Sequence, residues 1–123
     1  MTFFRAVFYL IFFVLPTQFL SASIQVDILY SSDEDIAGFQ FNVENAELIS
    51  ASGGDAEANG FMVSAGNNTV LGFSLTGSVI PAGSGVLITL EVEGDSTCIS
   101  NLILAEQDGG SLDAEVVDCL NIN

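Results

Sequence analysis

An all-β sandwich is the fold class this sequence predicts, and three observations predict it. From Ile24 onward, apolar residues alternate with polar ones in short runs, the period of a half-buried strand. Clusters of Gly, Asn, Asp and Ser separate these runs at the regular spacing of a sandwich or barrel. No stretch after Ile24 shows convincing helical periodicity, and half of all residues are hydrophobic, which excludes a disordered chain.

Taken in order, the first run places Val26, Ile28 and Tyr30 on one face, with Gln25 and Asp27 opposite. After an acidic turn comes the clearest run, in which Phe39, Phe41 and Val43 alternate with Gln40, Asn42 and Glu44. Leu48 and Ser50 lie in a weaker strand, and Gly53, Gly54 and Asp55 open a surface loop. Phe61 and Val63 mark a short strand that ends at Gly66-Asn67-Asn68. In the next, Leu71, Phe73 and Leu75 are expected to point inward, with Gly72 and Ser74 outward. A loop with Pro81, Gly83 and Gly85 precedes Val86, Ile88, Leu90 and Val92, which alternate with Thr89, Glu91 and Glu93. Cys98 opens a run through Leu104, Asp108-Gly109-Gly110 forms a turn, and the last strand spans 114–120. The total is about eight strands in one domain.

The beginning of the chain has a different grammar. Arg5 precedes an apolar block over 6–15, Pro16 and Thr17 interrupt it, and the small residues Ser21, Ala22 and Ser23 follow. That order is a secretory signal peptide over 1–23, cut before Ile24. A membrane anchor would need about 20 apolar residues, and Pro16 interrupts the block well short of that. Cleavage leaves 123 − 23 = 100 residues with all 16 carboxylates and no Lys, Arg or His, because Arg5 is the only basic residue. The reading is therefore a secreted, strongly acidic domain. Nucleic acid and anionic membranes are poor partners for it, whereas basic protein surfaces and divalent cations are good ones. Solubility alone is the other reason for such a charge. Cys98 and Cys119 form an even pair in a secreted chain, hence a disulfide between neighbouring strands or the ends of a hairpin. Such a bond closes a loop of about 20 residues and contributes about 3 kcal/mol. Metal ligation is the alternative, but no other Cys or His exists to complete a zinc site.

Several chemistries are excluded by what is missing. Without His, Lys or Arg after Ile24, no nucleophile-base relay or cationic oxyanion clamp can form. No phosphate-binding glycine loop precedes a helix. Paired carboxylates would suffice for glycoside hydrolysis, but a small sandwich offers little depth for a cleft. The expectation is a non-enzyme without a cofactor. Polysaccharide binding is disfavoured because the chain has no Trp, and Tyr30, Phe39, Phe41, Phe61 and Phe73 all fall in core phase. Calcium is a more plausible ligand than a glycan, since hard oxygen donors suit it, and Asp33, Glu34 and Asp35 are its first candidate ligands. Turns also collect Asp for backbone reasons, and no EF-hand pattern is present. Asn67-Asn68-Thr69 reads as an N-glycosylation acceptor if the source is eukaryotic.

Two segments, DILYSSDEDIAGFQFNVENAELISASGG and IPAGSGVLITLEVEG, resemble the cohesin family and the related carbohydrate-binding modules. The likeness lies in the Gly-aromatic-x-aromatic run Gly38 to Phe41 after an acidic turn, and in the aliphatic alternation from Gly83 to Val92. It spans nearly all of 24–118. The resemblance implies an eight- or nine-stranded, antiparallel, jelly-roll-like sandwich that holds a protein partner, notably a dockerin, in extracellular assemblies. The cysteine pair, the absence of basic residues and the lone domain depart from the family pattern, and no dockerin-contacting motif can be matched. The expected binding surface is the polar outward set Gln40, Asn42, Ser74, Thr89, Glu91 and Glu93, which calls for a partner with a basic patch.

Overall fold

The computed structural model describes residues 23–123. The expected signal peptide lies outside the described residues, except for Ser23. Nine strands and one short helix follow: β1 (Ile24–Ser32), β2 (Gly38–Glu44), β3 (Glu47–Ser52), α1 (Gly54–Ala58), β4 (Met62–Gly66), β5 (Thr69–Phe73), β6 (Gly83–Glu93), β7 (Cys98–Ala105), β8 (Val116–Val117) and β9 (Asn121–Ile122). They form two sheets, one ordered β3-β6-β1-β9-β8 and the other β4-β5-β2-β7. The expected sandwich is therefore present. Its pairings are antiparallel except for β1 with β9, which run parallel through Leu29–Asn121 and Tyr30–Ile122.

The alternation of the sequence becomes burial between the sheets. Ile28 and Tyr30 from β1, and Ile88, Leu90 and Val92 from β6, face Phe39, Phe41 and Val43 from β2. Phe39 stacks on Phe41 and Phe61, with ring centroids 6.2 and 6.1 Å apart, an offset geometry that adds to the burial of large rings. Between Ile28 and Leu29 the pairing with β6 shifts by one residue. The extra residue, Leu87, is wholly buried although it breaks the alternation. Such a bulge re-aims a side chain without ending the ladder.

Four sequence expectations are corrected. The loop expected at Gly53 to Asp55 leads into α1, one helical turn that buries Ala56. Gly54 lies so close to the backbone of Leu87 and Ile88 that no Cβ fits, and its φ is +65°, a conformation that glycine adopts most easily. In β5 the phase is opposite to that expected: Val70 and Gly72 are buried, whereas Leu71 is exposed and Leu75 lies in an exposed loop. The cause is Phe39, which pairs with Gly72 and fills the space above it. The expected last strand is a hairpin instead, β8 and β9, turned by Asp118 and Cys119 with φ of 51° and 67°. Finally, the disulfide Cys98–Cys119 does not staple strands of one sheet. It joins the start of β7 in one sheet to the β8–β9 turn of the other, with Cα atoms 4.3 Å apart, and the Ile99 amide donates to the Cys119 carbonyl beside it at 2.9 Å.

Candidate functional site

The structure separates the six polar residues expected to share a surface. Gln40 and Asn42 point outward from the four-stranded sheet, while Thr89, Glu91 and Glu93 point outward from the five-stranded sheet on the opposite side. Thr89 donates to Asp27 at 2.8 Å, and Glu91 accepts from Ser23 at 2.6 Å and Ser50 at 3.2 Å. Those side chains satisfy one another along a wet sheet face, as antiparallel sheets commonly do. Ser74 belongs to neither face. It lies in the loop after β5, where its hydroxyl accepts from the amides of Thr76 and Ser78 and holds the turn.

The outer face of the four-stranded sheet differs in character, and the register of its strands shows why. One row across it reads Met62, Phe73, Gly38, Ala105, and the next reads Ser64, Leu71, Gln40, Ile103. Met62 is 52% exposed, Ile103 51% and Leu71 39%. Gly38, having no side chain, leaves a depression between Phe73 and Ala105. A shallow groove of about 320 Å³ runs over it, lined by Gly38, Gln40, Leu71, Phe73, Ile103 and Ala105. A third row, Gly66, Thr69, Asn42, Ser100, is polar and pre-ordered. Asn42 donates to Thr69 at 3.1 Å and accepts from Asn101 at 3.4 Å, and Ser100 donates to Glu44 at 2.7 Å. An apolar centre with a satisfied polar border is the anatomy of a protein-recognition surface.

Sequence reasoning found Gln40 and Asn42 on this face and missed Met62, Leu71, Phe73 and Ile103. Leu71 and Phe73 were lost with the inverted phase of β5. For Met62 and Ile103 a signal existed: each sits between core-phase neighbours, Phe61 and Val63 in one case, Leu102 and Leu104 in the other, and is an apolar residue where alternation demands a polar one.

The acidic turn after β1 holds itself together. The Ser32 hydroxyl donates to the Glu34 carbonyl at 2.7 Å, and Asp35 accepts the Ala82 amide at 2.9 Å. Asp33, Glu34 and Asp35 do not converge, and among the described residues no three His, Cys, Asp or Glu side chains form a metal-holding group. Across a neighbouring groove, Asp108 holds the Glu106 carboxyl above its usual range, chiefly by like charge and further by loss of solvent, a hydrogen bond and the charge of Glu34. Asn67 is exposed at the tip of the β4–β5 hairpin. Asn68 faces inward, donating to the Val43 and Ala46 carbonyls at 3.4 and 2.9 Å and accepting from the Leu48 amide at 3.1 Å. Among the described residues no helix is long and apolar enough to cross a membrane.

No protein-family model and no curated protein matches the chain. A solved structure does: a non-cellulosomal cohesin from the hyperthermophilic archaeon Archaeoglobus fulgidus superimposes with a TM-score of 0.53 over 76% of this chain and 74% of that one, at 15% identity. The fold is cohesin-like. At that identity the likeness concerns architecture, and function must be argued from the surface.

Proposed function

We propose that this chain is an extracellular recognition module that holds a protein partner against the outer face of its four-stranded sheet. The observation that carries this reading is the apolar patch in which exposed Met62, Leu71 and Ile103 flank half-buried Phe73 and the depression over Gly38, beside a pre-ordered polar row. A single exposed apolar side chain needs no explanation, but several grouped on one sheet face around a groove mark an interaction surface. Central apolar anchors with a polar rim supply most of the affinity in such contacts. The cohesin-like fold and the family resemblance of the sequence support a protein partner, of which a dockerin-like segment is one form. With 16 carboxylates and no basic group after Arg5, electrostatic complementarity asks that partner for Lys or Arg around its own apolar centre.

The test is paired capture from the culture medium of the source organism, with the wild-type domain, Leu71→Glu and Ile103→Glu on one face, and Thr89→Ala on the other. One protein should be retained by wild type and Thr89→Ala and lost by both face variants. Retention that ignores Leu71 and Ile103, or binding to insoluble polysaccharide that depends on Phe73, would replace this reading with another surface or with a carbohydrate-binding module.

A further inference from the structure

An open sheet has two edges, and an unpaired edge attracts another strand unless it is short, bent, charged or covered. Three of the four edges here are managed in those ways. β3 carries Glu47 and a register shift between Leu48 and Ser50. β8 is only two residues long. β7 is covered at both ends: the Leu112 amide donates to the Leu104 carbonyl at 2.8 Å, Ser111 bridges Ala105, and Ile99 donates to Cys119 next to the disulfide.

β4 lacks the charge, the bulge and the backbone capping that protect the others, although β3 and α1 pack beside it. Its sequence, Met62-Val63-Ser64-Ala65-Gly66, carries no charge and no proline, it pairs with β5 without a bulge, and every residue except Val63 is exposed. Asn67 and Asn68, with φ of 51° and 56°, form the two-residue turn that closes the hairpin. A turn with two positive φ values makes its flanking pair, here Gly66 and Thr69, a hydrogen-bonded one. The alternation of the ladder then directs the backbone N–H and C=O groups of Val63 and Ala65 away from β5. β3, the edge of the other sheet, lies in contact with β4 but makes no backbone hydrogen bond to Val63 or Ala65.

We propose that β4 is an acceptor for strand addition: an extended segment of a basic partner protein pairs with Val63 and Ala65 and becomes the fifth strand of this sheet. That the occupant is a protein partner rests on the reading of the adjoining face given above; the openness of the edge does not. The added strand would lie about 4.8 Å from β4, on a domain whose charged side chains from Ile24 onward are all carboxylates. A second copy of this chain would bring only carboxylates, whereas a basic segment brings their complement. Its outward side chains would extend the row begun by Met62, which favours an apolar residue there.

The test is amide hydrogen exchange of the disulfide-intact domain with a short peptide of alternating valine and threonine flanked by lysines. Exchange at Val63 and Ala65 should slow about tenfold or more at saturating peptide, and a backbone N-methylated version of the peptide should have no effect. Ala65→Pro should abolish the slowing, because proline removes an outward amide and leaves the β5 ladder intact. Leu71→Glu should preserve it, which separates failure of the edge from failure of the face. The proposal is overturned if Val63 and Ala65 do not slow, if the N-methylated or a glutamate-flanked peptide slows them equally, or if the domain self-associates in sedimentation and Ala65→Pro reverses that.

Discussion

Phe39 and Gly72 stand directly opposite each other on β2 and β5, and the ring of the first occupies the space where a Cβ on the second would lie. This contact turns Leu71 and Phe73 outward and so creates the apolar face. Gly72→Ala should therefore destabilise by about 1–3 kcal/mol, the usual cost of overpacking. In the Phe39→Leu background the same change should cost less, with a coupling of at least about 0.5 kcal/mol. Urea unfolding of the four proteins measures both. Strict additivity would show that the ring is not what excludes a side chain at Gly72.

The same contact explains how far the sequence could be read. β1, β2 and the second half of β6 were legible because each has one apolar face, and Ile28, Tyr30, Phe39, Phe41, Val43, Ile88, Leu90 and Val92 are all buried as the alternation requires. In β5 the larger residues misled, since Gly72 is inward only because a ring from another strand fills its place. Leu87 escaped because a bulge removes a residue from the alternation, and α1 because its five residues are too few to show a helical period. Cys119 in a left-handed turn left no mark, since such turns are signalled by Gly or Asn. The candidate face inherited the β5 error: its polar border was visible in Gln40 and Asn42, its apolar centre was not.

Tyr30, the only tyrosine after residue 23, is 6% exposed and donates its phenolic proton to Asp55 at 2.5 Å, tying β1 to α1. Burial first, then the hydrogen bond to Asp55 and its charge, push the Tyr30 hydroxyl from 10.0 up to about 12. The unfolded chain thus releases this proton at lower pH than the folded one. The stabilisation is complete below pH 10 and is lost as pH rises from about 10 to about 12, at about 1.4 kcal/mol per unit. Phenolate absorbance should titrate near 12 in the folded domain and near 10 in urea. Tyr30→Phe should remove this slope and cost about 1.5–3 kcal/mol at neutral pH, the range for a hydrogen bond to a charged group. An unshifted folded titration would show that the Asp55 contact does not hold in solution.

The disulfide clasps two sheets, so its loss should be felt unevenly. Cys98 and Cys119 are 21 positions apart, and opening a loop of that length costs about 3 kcal/mol in the chain-entropy model. Without the bond, β8 and β9 are attached to the sheet mainly by the two-residue pairing of β9 with β1. In the Cys98→Ala/Cys119→Ala variant, amides of β8 and β9 should exchange faster than those of β1 and β6 well below the unfolding midpoint. Uniform acceleration across all strands would mean that the clasp acts only on the unfolded chain.

Glu47 on β3 lies directly across from Glu93 on β6, both exposed, in a domain that has no basic residue to place between them. Like charges facing each other across a ladder destabilise it, and opposite charges there contribute about 0.2–1 kcal/mol. Glu47→Lys removes one repulsion and supplies the only cationic side chain among residues 24–123, so it should raise the melting temperature. The gain should shrink as salt is added, because both side chains are in solvent and the Debye length falls from about 10 Å at 0.1 M to about 3 Å at 1 M. Glu47→Gln separates the two contributions, since it removes the repulsion without adding an attraction and should give a smaller gain. If Lys and Gln stabilise equally and neither responds to salt, the acidic charge of this sheet is already well solvated, and its effect on the fold is smaller than the pairing of Glu47 with Glu93 implies.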